Sequence, residues 1–287
     1  MFEDKLVFKN FKDEYEERIS RRLFYKFITI LFVFYIFLLV CSQSFYANYA
    51  YVGISGLSMQ STLNPNPRLI KTEKGYEEMQ DGVYLKYTKD IDYGDIIILN
   101  SDLSKHESII KRTIGLGGDY ITIALIETEE GTQEFRTMRV KNNSSNVEVM
   151  QENYIKSYEE WSYSSHHANF LTIDGVTYQK TFFEEFSNKN KHDYKQKTFK
   201  VDKLGGKNVT FFQVPENEIF FMGDNRANST DARSTGCYSI DKLVGKVVEI
   251  VKDGTYYQGN QVWWWRRLEG FVRISYNEVL RFFGADV

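Results

Sequence analysis

The sequence predicts a mainly β protein, in which a single N-terminal transmembrane helix is followed by an extracytoplasmic, mostly antiparallel β domain carrying an inserted cap subdomain. Three observations lead there. Residues 23–41 are apolar apart from Lys26 and Thr29, a run of about the length that a tilted bilayer-spanning helix needs. Beyond it, short runs of β-branched and aromatic residues alternate with turn signals. A long stretch between Asp119 and Gly223, rich in Asn, Lys, Glu and Tyr, interrupts the chemically distinctive part of the chain.

The N-terminal element is read from charge as well as hydropathy. Lys12, Arg18, Arg21, Arg22 and Lys26 precede or open the apolar run, and residues 42–67 contain no Lys or Arg. By the positive-inside rule, residues 1–22 are expected in the cytoplasm, 23–46 in the bilayer as a single-pass cell-membrane anchor, and 47–287 outside the cytoplasm. A cleaved signal peptide is the competing reading. Its leader would be long and acidic, with Asp13, Glu14, Glu16 and Glu17 in it, and cutting near Ala50 would leave Ser58 beside a frayed terminus.

Strands are expected over 95–99, 108–114, 120–126, 171–178, 208–214, 218–222 and 243–251, separated by turns such as Tyr93-Gly94-Asp95, Gly117-Gly118-Asp119 and Asp174-Gly175. Residues 120–210 read as the inserted subdomain, with polar loops at 141–146 and 187–197. At the end of the chain, Val262-Trp263-Trp264-Trp265-Arg266-Arg267 suits either a membrane interface or packing on the domain, ahead of a helix over about 274–283.

Composition narrows the function classes. With 287 residues, 16% aromatic content and only 3 Pro, the chain is long and apolar enough to fold around a real core. Its 36 basic and 39 acidic residues are interleaved, so no basic stripe marks a nucleic-acid partner. Cys41 and Cys237 offer no disulfide framework. His106, His166, His167 and His192 have no zinc-ligand spacing, and no metal or cofactor is expected.

Three blocks carry chemistry: Ser58-Met59-Gln60-Ser61-Thr62-Leu63; Lys111-Arg112-Thr113-Ile114-Gly115-Leu116-Gly117-Gly118-Asp119; and Gly223-Asp224-Asn225-Arg226 running on to Ser229, Asp231 and Arg233. A serine hydroxyl is a poor nucleophile until a base takes its proton, and a lysine does this only when burial or a nearby cation leaves it neutral. Lys111 on a strand among Ile109, Ile110 and Thr113 has such a setting. No Gly-x-Ser-x-Gly elbow is present, and no histidine sits in a hydrolase context.

These blocks, in this order behind the anchor, resemble those of signal peptidase I (leader peptidase), the membrane serine-lysine peptidases that remove signal peptides from exported proteins. The resemblance implies Ser58 as nucleophile and Lys111 as general base, with Ser229 hydrogen-bonding the lysine amine. It makes Asp224, Asn225, Asp231 and Arg233 structural supports and the Ser58 N–H an oxyanion donor. It places Met59, Ile109 and Ile110 at shallow pockets that admit small side chains one and three residues before the cut. Signal-peptide-bearing preproteins and the lipid bilayer are the implied partners.

The chain departs from the family pattern at Ser61 and Gly117, where prolines are usual, at Ala232, where serine is common, and at Gly56, which offers no oxyanion hydroxyl. None of these removes a catalytic atom. Two other readings stay open: a dedicated serine-lysine maturation peptidase for a pilin or conjugation substrate, and a catalytically silent homologue that holds extended peptides by strand addition.

Overall fold

The computed structural model describes residues 2–66, 68–72, 75–101, 108–127, 131–155, 170–189, 193–256 and 264–283. His106, His166, His167, His192 and Trp263 lie outside the described residues. The chain divides into two compact units, residues 1–49 and 50–287. The first is a continuous helix, α1 (Phe2–Asn48). Its part Arg18–Asn48 is long and apolar enough to cross a membrane and buries none of its most apolar window against protein. At 1.5 Å rise per residue that part is about 46 Å long.

The second unit contains two sheets. The larger is formed by β1 (Tyr49–Gly53), β3 (Gly75–Lys86), β15 (Leu243–Tyr256), β4 (Ile96–Asn100), β5 (Ser108–Leu116), β13 (Glu218–Met222) and β14 (Tyr238–Ser239), in that spatial order, with β2 (Arg68–Thr72) paired to β3. The other is centred on β6 (Tyr120–Glu127). It runs β11 (Gln196–Val201), β12 (Lys207–Gln213), β6, β10 (Val176–Gln179), β9 (Phe170–Ile173), and β7 (Gln133–Val140) joins β6 to β8 (Glu148–Val149). The described pairings outside β1 are antiparallel.

Strand alternation explains how the layers form. On β4, Ile97 and Leu99 enter one core cluster while Ile96 and Ile98 enter another, as a period of two requires. The first cluster joins the sheets: Ile114, Phe220 and Phe221 from the larger one meet Ile121, Ile123 and Phe212 from the smaller. Helix α2 (Lys180–Ser187), capped by the Gln179 side chain accepting from Phe182 N at 2.7 Å, adds Phe182 and Phe186. The strands inserted between β5 and β13 therefore share a core with the larger sheet. The second cluster, with Met59, Leu63, Val83 and Ile110, lies under the loop that carries Ser58.

Several elements differ from the sequence pattern. The expected strand 171–178 is a hairpin of β9 and β10 whose turn residues Asp174 and Gly175 have φ of 51° and 75°, the left-handed pair a tight two-residue hairpin needs. Strand β3 is hidden by Glu77, Glu78 and the turn-like Asp81-Gly82; a Cβ at Gly82 would lie 1.9 Å from the Tyr51 hydroxyl, so the glycine marks a close approach inside the strand. Strand β11 takes up the end of the expected polar loop 187–197. The last helix, α4 (Trp264–Phe282), begins well before the expected start near 274; it packs by Gly270 and Ile274 while Leu268, Val272, Tyr276 and Val279 stay exposed.

Candidate active site

Ser58 stands in the loop between β1 and β2, half-buried, with its loop fastened from below by its own apolar residues. Met59 and Leu63 are 2% and 1% exposed, and backbone bonds from Thr62 N and Leu63 N to Met59 O, at 2.9 and 2.7 Å, fold the chain tightly after the serine. At the far end, Asn64 adopts a left-handed φ of 52° and locks onto β3: its N–H donates to Asp81 Oδ2 at 2.9 Å and its Oδ1 accepts from Asp81 N at 2.6 Å. Lys252 donates to Asp81 Oδ2 at 2.8 Å and to Thr62 O at 2.9 Å.

Lys111 lies on β5, an inner strand between β4 and β13. Its amine donates to Ser58 Oγ at 2.8 Å and to Ile110 O at 3.0 Å. Lys111 is 4% exposed. Burial lowers its pKa below the ordinary lysine value; the Asp231 carboxylate opposes that shift, Arg233 reinforces it and Asp224 opposes it. Both hydrogen-bond acceptors are neutral, so nothing in direct contact demands an ammonium. Among the described residues the Ser58 N–H meets no acceptor, which leaves it available to an incoming oxygen.

The third block follows β13, whose end pairs Met222 with Arg112 and so delivers Gly223 and Asp224 beside the lysine strand. Asp224 is fully buried and takes the Arg112 fork, Nε to Oδ1 at 2.8 Å and Nη2 to Oδ2 at 2.5 Å, while Thr62 Oγ1 donates to the same Oδ2. Asn225 holds the nucleophile loop directly: its N–H donates to Ser58 O at 3.0 Å and its side chain to Leu57 O at 3.1 Å.

Asp231 caps α3 (Ala232–Thr235) and is bound through both oxygens by Arg233, at 2.8 and 2.9 Å, with Gly223 N donating to Oδ2 at 3.0 Å. Burial alone would raise the Asp231 pKa; the Arg233 charge and these hydrogen bonds outweigh it and hold the carboxyl below its usual range. Gly223 is the narrowest point. A Cβ there would lie 2.2 Å from Ser229 Oγ and 2.5 Å from Ser58 O.

The other expected residues are placed differently. Ser229 Oγ is buried against Gly223, where it helps hold the Asp231 carboxyl ionised, and the Lys111 amine donates to Ser58 Oγ and Ile110 O rather than to it. Met59 and Ile110 sit in the cluster under the loop, 2% and 9% exposed, whereas Ile109 packs against the core between the sheets. Adjacent strand residues face opposite ways, so Ile109 and Ile110 cannot border one surface together. Ser61 Oγ is buried without a hydrogen-bond partner among the described residues.

Thr62, Arg112, Glu152 and Arg226 belong to the site but have no assigned role in the sequence reading. Arg112 was legible in principle, because an arginine next to a strand lysine must point to the other face and needs an anion there. Glu152 had no such signal. Among the described residues no group of His, Cys, Asp or Glu could hold a metal ion.

Similarity to known proteins identifies the family. The family described as "Signal peptidase, peptidase S26" matches residues 24–252. Signal peptidase I P of Bacillus subtilis subsp. natto is 28% identical over 199 residues, 69% of this chain and 74% of that protein. Signal peptidase I of Buchnera aphidicola subsp. Baizongia pistaciae is 30% identical over 173 residues, 55% of this chain and 54% of its own length. The crystal structure of an Enterococcus faecalis V583 signal peptidase I covers 55% of this chain and 97% of its own at 21% identity, with a TM-score of 0.28, too low to argue from. The match running from the apolar helix through Ser58, Lys111 and the 223–233 turn to β15 leaves one conclusion: the chain belongs to the S26 signal peptidase family.

Proposed function

We propose that this chain is a membrane-anchored serine endopeptidase that removes signal peptides from exported preproteins, using Ser58 as nucleophile and Lys111 as general base. The family and the apolar helix support the coarse reading. The observation that carries the finer one is the 2.8 Å contact between a buried lysine amine, its pKa lowered, and the hydroxyl of the half-buried Ser58.

In this mechanism neutral Lys111 takes the Ser58 proton as Oγ attacks the scissile carbonyl, and the Ser58 N–H donates to the developing oxyanion. The protonated amine then gives its proton to the leaving peptide nitrogen. Lys111, neutral again, activates a water that hydrolyses the ester. Ile110 and Met59, with little free surface, would floor a shallow pocket that admits small side chains before the cut and excludes Phe or Leu. The Lys and Arg preceding the apolar run support a cytoplasmic N-terminus, with the Ser58 unit on the other side.

The test is incubation of detergent-solubilised protein with a signal-bearing preprotein, followed by N-terminal sequencing of the product. A new N-terminus after a small-x-small sequence is expected. No cleavage, or cleavage unaffected by Phe before the cut, would sink the reading.

A further inference from the structure

Two side chains of the inserted region reach the supports of the Ser58–Lys111 pair. Both come from the turn after β8. Glu152, 1% exposed, accepts from Arg226 through both oxygens, Oε2 from Nη1 at 3.1 Å and Oε1 from Nη2 more closely. Arg226 is 3% exposed, its Nη1 also reaches Thr137 Oγ1 on β7 at 3.4 Å, and its Nε donates to Gly223 O at 3.0 Å. Tyr154 donates its hydroxyl to Glu152 Oε1 at 2.9 Å, and its ring lies 4.0 Å from the Arg112 guanidinium that clamps Asp224. Burial and the Glu152 carboxylate raise the Tyr154 pKa, which keeps the hydroxyl a donor.

We propose that Glu152 and Tyr154 are positioning residues through which the inserted region braces the Ser58–Lys111 pair. The proposal rests on the serine-lysine reading and extends it to a part of the chain with no chemistry of its own. The route is continuous. Glu152 orients the Arg226 fork, Arg226 fixes Gly223 O, and Gly223 leaves no room against Ser58 O, which Asn225 N also holds. Tyr154 ties the same carboxylate to Arg112, the neighbour of Lys111.

A buried ion pair contributes little net stability compared with apolar packing, but a planar arginine fork imposes a definite orientation on what it binds. Reacting groups are sensitive to displacements of about 1 Å. The brace is therefore expected to act on turnover more than on substrate affinity.

The test is steady-state cleavage of a signal-bearing preprotein by the full-length, detergent-solubilised protein, with rates normalised to folded protein. Tyr154→Phe removes one hydroxyl and no ring. It should lower kcat about tenfold with KM within about twofold, and Glu152→Asp should lower kcat by roughly a hundredfold, as for small misplacements of reacting groups. The acid limb of the kcat/KM profile should move to higher pH in Tyr154→Phe, because a loosened site hydrates the Lys111 amine. A merely structural role would change the amount of folded protein and leave that limb in place.

Wild-type kcat and an unmoved limb in Tyr154→Phe would overturn the brace, whether or not Glu152→Asp accumulates. Ser58→Ala and Lys111→Met run alongside. If either keeps turnover, the serine-lysine reading fails and takes the brace with it; if both are dead and Tyr154→Phe is unaffected, the brace alone is wrong.

Discussion

Lys111 and Arg112 are consecutive residues on β5 and meet opposite electrostatic surroundings. Arg112 keeps 12% of its side chain exposed and forks onto the buried Asp224 carboxylate, with Gly94 O accepting from Nη1 at 2.7 Å. Lys111 is more deeply buried and, among the described residues, donates only to a hydroxyl and a backbone carbonyl. Charge is thus matched by charge on one face, while on the other an amine is desolvated beside neutral acceptors. Asp231, held by Arg233 and Gly223, favours the ammonium, but burial outweighs it and the Arg233 charge works against it. What separates a structural cation from a candidate base here is the partner each face supplies, since depth alone would disfavour both charges.

Removing the reacting groups should have the largest effect. Ser58→Ala and Lys111→Met should each reduce turnover by about 10⁴-fold or more, and the double variant should be no worse than either single one, because both disable one unit. In the intact enzyme, activity should climb with pH along a limb below the ordinary lysine value as the amine loses its proton, since burial depresses that pKa. An activity limb at the ordinary lysine value, or near-normal turnover by Lys111→Met in a preprotein cleavage assay, would contradict the contrast drawn between the two faces.

Arg112→Met attacks the other face. It strands the Asp224 carboxylate, 0% exposed, and should destabilise the fold by about 3–5 kcal/mol, the usual penalty for an uncompensated buried charge. Thermal melting of the solubilised protein reads this; a change of only a few tenths of a kcal/mol would mean that water reaches the carboxylate.

Gly223→Ala tests the gap between the faces. With Ser58 O 2.5 Å from the new Cβ, the serine backbone must shift, and kcat should fall roughly a hundredfold. Unchanged kcat would show that the turn yields instead of the nucleophile loop.

The smallest effect has the opposite sign. Lys111→Met should raise stability near neutral pH by about 1 kcal/mol, because it replaces a desolvated amine with apolar volume. The folded-state pKa of Lys111 is lowered from 10.5, so between the folded and unfolded values the unfolded chain holds the extra proton and wild-type stability rises with pH. The advantage of Lys111→Met should therefore shrink as pH approaches the ordinary lysine value. Melting curves across that range that show a constant or growing advantage would count against a depressed pKa.

How much of this was legible depends on whether the controlling contacts are local. Strand β13 is read at its observed limits, 218–222, because a short apolar run between turns is a local signal. The pairing of Ser58 with Lys111 is implied by the resemblance that their motifs carry, and by no local signal in the sequence. Strand β3 was not legible, since its Glu-rich start is held by pairing with β2 and its glycine by pairing with β15 and the approach of Tyr51. Nor could Ser229 be placed, because its hydroxyl is set by close packing against Gly223 beside Asp231.

The sequence by itself determined that an apolar, positively flanked helix precedes a strand-rich body, and that a serine, a lysine and a polar turn recur in a family's order. These are properties of composition and spacing along the chain. Tertiary structure decided which carboxylate meets which arginine, that Ile109 and Ile110 face different cores, and that Glu152 and Tyr154, far from every motif, stand against the arginines of two of them. Such pairings join residues that are remote along the chain and are set by strand register and by the need of each buried charge for a counter-charge, and neither leaves a mark in the local sequence.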